Sequence, residues 1–280
     1  MNILKTLLPA LLLPSLLTAQ KPSPTRSEVY KQASDTDLKV FIFEPEGHKS
    51  TDSRPAVVFF FGGGWNGGTP SQFYPHCAHL ASKGMVAMAA DYRVKSRQGT
   101  SPFKCVEDGK SAVRWIRQNA CKLGIDPNRV AAGGGSAGGH VAAATGNVPK
   151  LDAPDEDKNT SSKPDALLLF NPVYDNGPNG YGHSRVQPNW QDICPMHNIR
   201  KGAPPTIVFL GSNDKLIPVS TAEAYDKKME DAGSRCETHI YEGATHGFFN
   251  FGKKGKDGTD YYADTVVKMD KFLQSLGWLE

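Results

Sequence analysis

Apolar and polar positions along the chain alternate between short buried runs and longer amphipathic segments. Leu38 to Phe43 reads as a strand. Ala56 to Phe61 is a continuous apolar run, as expected of a strand covered on both faces. Ser71 to Lys83 is predicted helical and is stopped by Gly84. Met85 to Ala90 reads as the next buried strand. Pro102, suited to a first helical turn, opens a long helix to about Leu123, with Gly124 beyond its end. Arg129 to Gly133 reads as a short strand and Ala137 to Thr145 as a helix of small residues. Ala166 to Phe170, Thr206 to Leu210 and Glu237 to Tyr241 are further strands, and helices at Val219 to Ala232 and Asp264 to Leu276 follow the last two. Strands alternating with helices predict an α/β fold, a mostly parallel central sheet with helices on both faces.

The N-terminus precedes this rhythm, and two later stretches break it. Residues 1–19 carry Lys5, an apolar run from Thr6 to Leu17, and the small residue Ala19 before polar sequence. That is the pattern of a secretory signal peptide. The run is short for a bilayer span, and Pro9 and Pro14 weaken it as a helix. An uncleaved anchor is the alternative. No second run of spanning length follows, so a secreted or periplasmic protein, free of the membrane after signal removal, is expected. Residues 20–37 are expected to form a tether, with its Pro- and Ser-rich part at Lys21 to Ser27, and 38–280 a single catalytic domain. Lys150 to Lys163 is a polar surface loop by composition. Asn171 to Pro205 lacks periodicity, and a loop of that length inside a compact domain is usually functional or disordered.

Composition narrows the partners. At 280 residues and 39% hydrophobic, the chain can bury a sizeable core. Its 32 basic and 29 acidic residues are interspersed, with a formal net charge of +3. No basic stripe appears, which disfavours nucleic acid as a partner. Five cysteines leave at least one unpaired and are too sparse for a disulfide-framed scaffold. Cys105 and Cys121 lie near opposite ends of one predicted helix, roughly 24 Å apart at its rise per residue, beyond disulfide reach. No Cys/His spacing suggests zinc, and neither metal nor organic cofactor is expected.

The strongest chemical signal is Gly133-Gly134-Gly135-Ser136-Ala137-Gly138-Gly139-His140. Gly134, Ser136 and Gly138 satisfy G-x-S-x-G between a predicted strand and helix, the context of a nucleophile on a sharp turn. The segment lacks the Lys of a phosphate-binding P-loop and the spacing of a dinucleotide site. A second signal, Phe61-Gly62-Gly63-Gly64-Trp65, follows a buried strand. Three glycines there let backbone N–H groups turn toward a ligand oxygen, as an oxyanion hole requires, although a plain flexible turn has the same composition. A serine nucleophile needs a base, and the base an orienting acid. Asp214, in Gly211-Ser212-Asn213-Asp214-Lys215, and His246, in Gly243-Ala244-Thr245-His246-Gly247-Phe248, each follow a predicted strand. All three residues therefore fall at the C-terminal edge of the sheet, in the chain order Ser, Asp, His.

On these motifs the chain resembles the α/β-hydrolase superfamily, nearest to esterases and lipases of the hormone-sensitive-lipase-like group and to bacterial feruloyl and acetyl esterases. Matching segments run from about Leu38 to the C-terminus: Phe61 to Trp65, Asp91-Tyr92-Arg93, Asp126-Pro127-Asn128-Arg129, Gly134 to Gly139, Gly211 to Pro218 and His246-Gly247-Phe248. The resemblance implies the α/β-hydrolase fold, a catalytic triad of Ser136, Asp214 and His246, and oxyanion donors at Gly63, Gly64 and Ala137. It also implies a structural, ion-pairing role for Asp91-Tyr92-Arg93. One departure is that the family usually places His before the three glycines, where this chain has Phe61.

Other residues compete for roles. Glu242 is the rival orienting acid, but it lies only four residues before His246. His140 sits on the helix after Ser136 and His239 within a strand, so both read as structural, whereas His183 and His197 lie in the insertion. Trp65 suits the wall of an acyl site or the core. Tyr174, Asn176 and Trp190, with Asp175 and Tyr181, suit either a platform for sugar or an ordered loop. The expected function is a secreted serine carboxylic-ester hydrolase acting on short-chain or aromatic acyl esters of carbohydrate. A general carboxylesterase or lipase, a small serine peptidase and a catalytically silent binding protein are the alternatives.

Overall fold

The computed structural model describes residues 22–33 and 36–280, so the expected signal segment at 1–19 lies outside the described residues. Eight strands form one sheet: β1 (Arg26–Ala33), β2 (Thr36–Phe43), β3 (Arg54–Phe60), β4 (Val86–Ala90), β5 (Ile125–Gly135), β6 (Ala166–Phe170), β7 (Thr206–Gly211) and β8 (Cys236–Tyr241). Their spatial order is β1-β2-β4-β3-β5-β6-β7-β8. β2 runs antiparallel to both β1 and β4, and every other pairing is parallel. The helices are α1 (Tyr74–Ser82), α2 (Lys95–Gln98), α3 (Pro102–Gln118), α4 (Ala120–Leu123), α5 (Ala137–Asn147), α6 (Val219–Asp231) and α7 (Tyr261–Ser275).

The continuous apolar runs are central strands covered on both sides. Successive residues of β3 alternate between two cores. Val58 and Phe60 belong to the core that also holds Val113 and Ile116 of α3, Val141 of α5 and Met229 of α6. Val57 and Phe59 belong to the opposite core, with Leu80 of α1 and Met269 and Phe272 of α7. A strand whose side chains point alternately into two layers must be apolar at every position, which is what Ala56 to Phe60 provides. Each fully buried Phe or Val contributes about 1.5–3 kcal/mol by leaving water.

The expected tether is only partly one. Arg26–Ala33 is an edge strand, in register with β2 from Arg26 opposite Ile42 to Ala33 opposite Thr36. Its charged residues are suited to an unpaired edge. They mask the burial of Tyr30, which sits at a shift of register between Val29 and Lys31, and of Ala33. Side chains then tie the strand down. The Tyr30 hydroxyl donates to the Asp91 carbonyl at 2.7 Å, and Lys31 reaches Glu107 and Asp108 on α3. The long helix expected from Pro102 to Leu123 is broken at Asn119, whose side chain donates back to the Trp115 carbonyl and separates α3 from α4.

Asp91-Tyr92-Arg93 pairs as the resemblance implies. Asp91 bonds Arg97, and Arg93 bonds Asp108 and Glu107. The polar loop at 150–163 is anchored by Asp152 and Glu156, which pair with Arg114, and by Lys110 with Asp152. All five cysteines are free thiols. Among the described residues no helix is long and apolar enough to cross a membrane, and no cluster of three His, Cys, Asp or Glu residues could hold a metal.

Candidate active site

Parallel pairing brings the ends of β3, β5, β6, β7 and β8 to one edge, and the loop after each contributes to a single site. Ser136 falls between β5 and α5 with φ 54° and ψ −121°, a left-handed conformation that few side-chain-bearing residues adopt. The turn is tight on both sides. A Cβ on Gly138 would overlap the carbonyl oxygens of Phe60 and Phe61, and one on Gly134 would overlap the backbone of Gly138. These two glycines are therefore demanded by close backbone approach. The sequence motif records that steric requirement.

The three polar groups meet in a relay. Ser136 Oγ lies 2.9 Å from His246 Nε2, and His246 Nδ1 lies 2.7 Å from Asp214 Oδ2. An ionised carboxylate only accepts, so Nδ1 carries the proton and Nε2 is left to accept from the serine hydroxyl. Asp214 is fixed from behind, because its Oδ1 accepts the backbone N–H groups of Leu216 at 2.8 Å and Ile217 at 3.1 Å. Glu242, the rival acid, is exposed on the turn after β8.

The Gly-rich loop after β3 lies against this serine. A Cβ on Gly62 would stand 3.3 Å from Ser136 Cβ, and Gly63 and Gly64 adopt φ of 130° and 62°. Among the described residues, no backbone acceptor takes the N–H of Gly63, Gly64 or Ala137. Ala137 is the first residue of α5, where free N–H groups and the helix dipole favour negative charge. The site thus combines a polarised hydroxyl with unused donors beside it, the parts needed for acyl transfer. Phe61 takes the place of the usual His by stacking on Tyr92 at 4.2 Å, and the Tyr92 hydroxyl donates to the Phe61 carbonyl at 2.6 Å.

Residues 41–175 match the BD-FAE family, and residues 181–276 match the Dienelactone hydrolase family. Thermogutta terrifontis esterase 2 in its apo form is 46% identical and superposes with a TM-score of 0.88 over 93% of this chain and 97% of that one. The chain belongs to the α/β-hydrolase superfamily. Probable carboxylic ester hydrolase LipM of Mycobacterium tuberculosis is 31% identical across 91% of this chain and 65% of its own length. Acetylxylan esterase of Xylanibacter ruminicola is 27% identical across 89% of this chain and 49% of its own. The chain thus spans about half to two thirds of the length of these curated relatives.

Within this α/β-hydrolase, two of the insertion residues offered for either a sugar platform or an ordered loop are turned into the core. Tyr174 is fully buried and stacks on Tyr225 of α6 at 4.7 Å. Asn176 is also fully buried, and its amide donates to the Tyr181 carbonyl at 3.0 Å. Trp190 packs against His197 and a small apolar cluster with Val106 and Ile193. The composition of a polar–aromatic loop does not say which side chains turn inward; Tyr174 and Asn176 do, and Trp190 is half-buried. Trp65 is 2% exposed, so it is mainly a core residue, packed edge-on against His140 at 5.0 Å. Of the insertion histidines, His183 bonds the Asn176 carbonyl and His197 packs on Trp190.

Three residues of the hydrolase site escape the motif reading. Asn171 directly follows β6, the rule that located Asp214 and His246, and it adopts φ 34°. Its Oδ1 accepts the Gly247 N–H at 3.0 Å, and its Nδ2 lies 3.4 Å from His246 Nε2. Gln72 accepts the Gly62 N–H at 2.6 Å and donates to Asn250, which in turn donates to the Gly247 carbonyl. This bridge joins the Gly-rich loop to the His246 loop across 178 residues of sequence, a link no local pattern reveals.

Two buried histidines shape the acid limb of stability. Burial lowers His140 to about 4 and His76, boxed in by Phe59, Phe73, Phe170, Phe249 and Tyr262, to about 3. Both are neutral in the fold, while an unfolded histidine binds a proton near 6.5. The unfolded state therefore gains protons first as pH falls. Stability is full above about pH 6.5 and drops through the window toward 4 and then 3. Each tenfold difference in proton affinity between the two states costs about 1.4 kcal/mol. Urea midpoints measured from pH 7.5 to 4.5 should fall, and His76→Phe should flatten that slope. An unchanged slope in the variant would contradict the assignment.

Proposed function

We propose that the chain is a serine carboxylesterase that works through an acyl-enzyme. The observation that carries this reading is the Ser136–His246–Asp214 relay lying beside unused backbone N–H groups. His246 takes the Ser136 proton as Oγ attacks the ester carbonyl. Asp214 orients the ring and stabilises the imidazolium. The N–H groups of Gly63, Gly64 and Ala137 hold the oxyanion. His246 then protonates the departing alcohol, and water repeats the cycle on the acyl-enzyme. A structure of the Thermogutta esterase phosphorylated by paraoxon supports a reactive nucleophile in this family.

The acyl group is read as short. Structures of the same relative with propionate and with butyrate bound support small acids. The cavity beside the Gly-rich loop places Lys95, Thr100, Ser101 and Arg185 along its wall, polar groups that a long alkyl chain would have to desolvate. A buried methylene gains about 0.8 kcal/mol only against apolar walls. kcat/KM for aryl esters should therefore fall from acetyl to octanoyl. A steady rise to octanoyl would point to an alkyl channel and a lipase.

A carbohydrate alcohol is the second reading, supported by the acetylxylan esterase relative. Acetylated xylo-oligosaccharides should then be deacetylated faster than triacetin at equal concentration. The apolar run at Thr6 to Leu17 supports export to the periplasm or medium, which N-terminal sequencing of the mature protein would test.

A further inference from the structure

A cavity of about 390 Å³ opens beside the Gly-rich loop, lined among others by Gly64, Trp65, Lys95, Thr100, Ser101 and Arg185. Ser136 and His246 do not line it. It begins at Gly64, two residues along the same loop from Gly62, which faces Ser136. A substrate whose carbonyl oxygen sits at the Gly63 and Gly64 N–H groups could therefore place a further group in this space.

The lining has one sign of charge. No Asp or Glu contributes to it, and neither Lys95 nor Arg185 pairs with a carboxylate among the described residues. Arg185 Nη1 donates to the Gly64 carbonyl at 2.7 Å, and its guanidinium lies over the Trp65 and Tyr181 rings, which fixes it at the cavity wall. Its other N–H groups remain as donors. Ser101 caps α3, a 17-residue helix, and its hydroxyl makes no capping bond. The positive end of that helix thus reaches the same space. Trp65 lines the cavity and is otherwise buried. Cations nearby are matched. Arg97, on the turn just after Lys95, binds Asp91, and Lys104 binds Glu107. The unmatched pair lies on the wall of a cavity next to the reacting centre.

We infer that this cavity is an anion subsite that receives a carboxylate carried by the ester substrate. The inference rests on the esterase reading and adds a substrate class to it. The carboxylate sits between Lys95 and Arg185, with the Ser101 and Thr100 hydroxyls at the helix end as further donors. Two cations without a carboxylate gain an ion pair on binding rather than exchanging one, so the net benefit is larger than for cations already paired in the free protein. The same field favours the developing oxyanion one residue away.

Two substrate pairs separate the acyl side from the alcohol side. Monoethyl adipate and its neutral carboxamide, ethyl adipamate, place the charge on the acyl group. 4-Acetoxybenzoate and 4-acetoxybenzamide place it on the leaving group. The quantity read is the ratio of kcat/KM, charged over neutral, in the wild type and in Lys95→Gln. Lys95 is exposed, so the fold should hold, and comparing the ratio between wild type and variant cancels intrinsic reactivity. In one pair the ratio should fall about fivefold in Lys95→Gln and further in Lys95→Glu, and the wild-type ratio should decline as salt is raised from about 20 to 500 mM. The pair that responds identifies which side of the ester carries the charge. Equal ratios in wild type and both variants, for both pairs, would overturn the anion subsite while leaving the esterase reading intact. Failure of the wild type to hydrolyse either neutral ester would instead overturn the esterase reading.

Discussion

Ser136→Ala should fold normally and lose ester hydrolysis by about a millionfold in kcat, the scale seen when a triad nucleophile is removed. The reason lies in the geometry. Ser136 Oγ is the group within 2.9 Å of the bare His246 nitrogen, and alanine leaves that base without a proton to take. Circular dichroism and thermal midpoint should change little. Alanine keeps the same Cβ, and the strained φ of 54° is held by the surrounding backbone, which includes the Ser136 N–H bond to the Phe170 carbonyl. Residual turnover of an aryl acetate near the wild-type rate would mean that another group attacks the ester.

Asp214→Asn should cost roughly 10⁴ in kcat with the fold intact. The substituted amide could still accept the Leu216 and Ile217 N–H groups through its carbonyl, so the loop after β7 should keep its shape. Its NH₂ would then face His246 Nδ1, and two donors cannot share that bond. The ring would move its proton to Nε2, and the Ser136 hydroxyl would lose its acceptor. Glu242→Gln should leave kcat within about threefold of wild type, since exposed side chains away from such features have small effects. A larger loss from Glu242→Gln than from Asp214→Asn would show that the wrong loop supplies the acid.

The fold and the Ser136–His246–Asp214 relay were legible for one physical reason. A strand buried on both faces has to be apolar throughout, and a loop at its end has to be polar if it does chemistry. Ala56 to Phe61 and Thr206 to Leu210 therefore announced the sheet and the places where the Gly-rich loop and Asp214 follow. The glycines around Ser136 were legible because backbone atoms fill the space a Cβ would occupy.

What was hidden depends on direction rather than type. β1 looks like a charged tether because an edge strand keeps one row of side chains in water, and only Tyr30 and Ala33 mark the buried row. Tyr174, Asn176 and Trp190 have the chemistry of a sugar platform, yet the turns of the 171–205 insertion point them into packing with Tyr225, Tyr181 and His197. Gln72 sits on the predicted helix beginning at Ser71 with no local sign that it bridges Gly62 to Asn250. Such long-range side-chain links leave no periodic trace.

The central claim, that Ser136 forms the acyl-enzyme, is tested most directly by intact-mass analysis after exposure to paraoxon, with peptide mapping of the adduct. One diethylphosphoryl group per chain is expected, located on Ser136, with hydrolysis of aryl acetate lost in proportion to labelling, and no adduct on Ser136→Ala. Full labelling at another residue, or complete loss of activity with Ser136 unmodified, would contradict it.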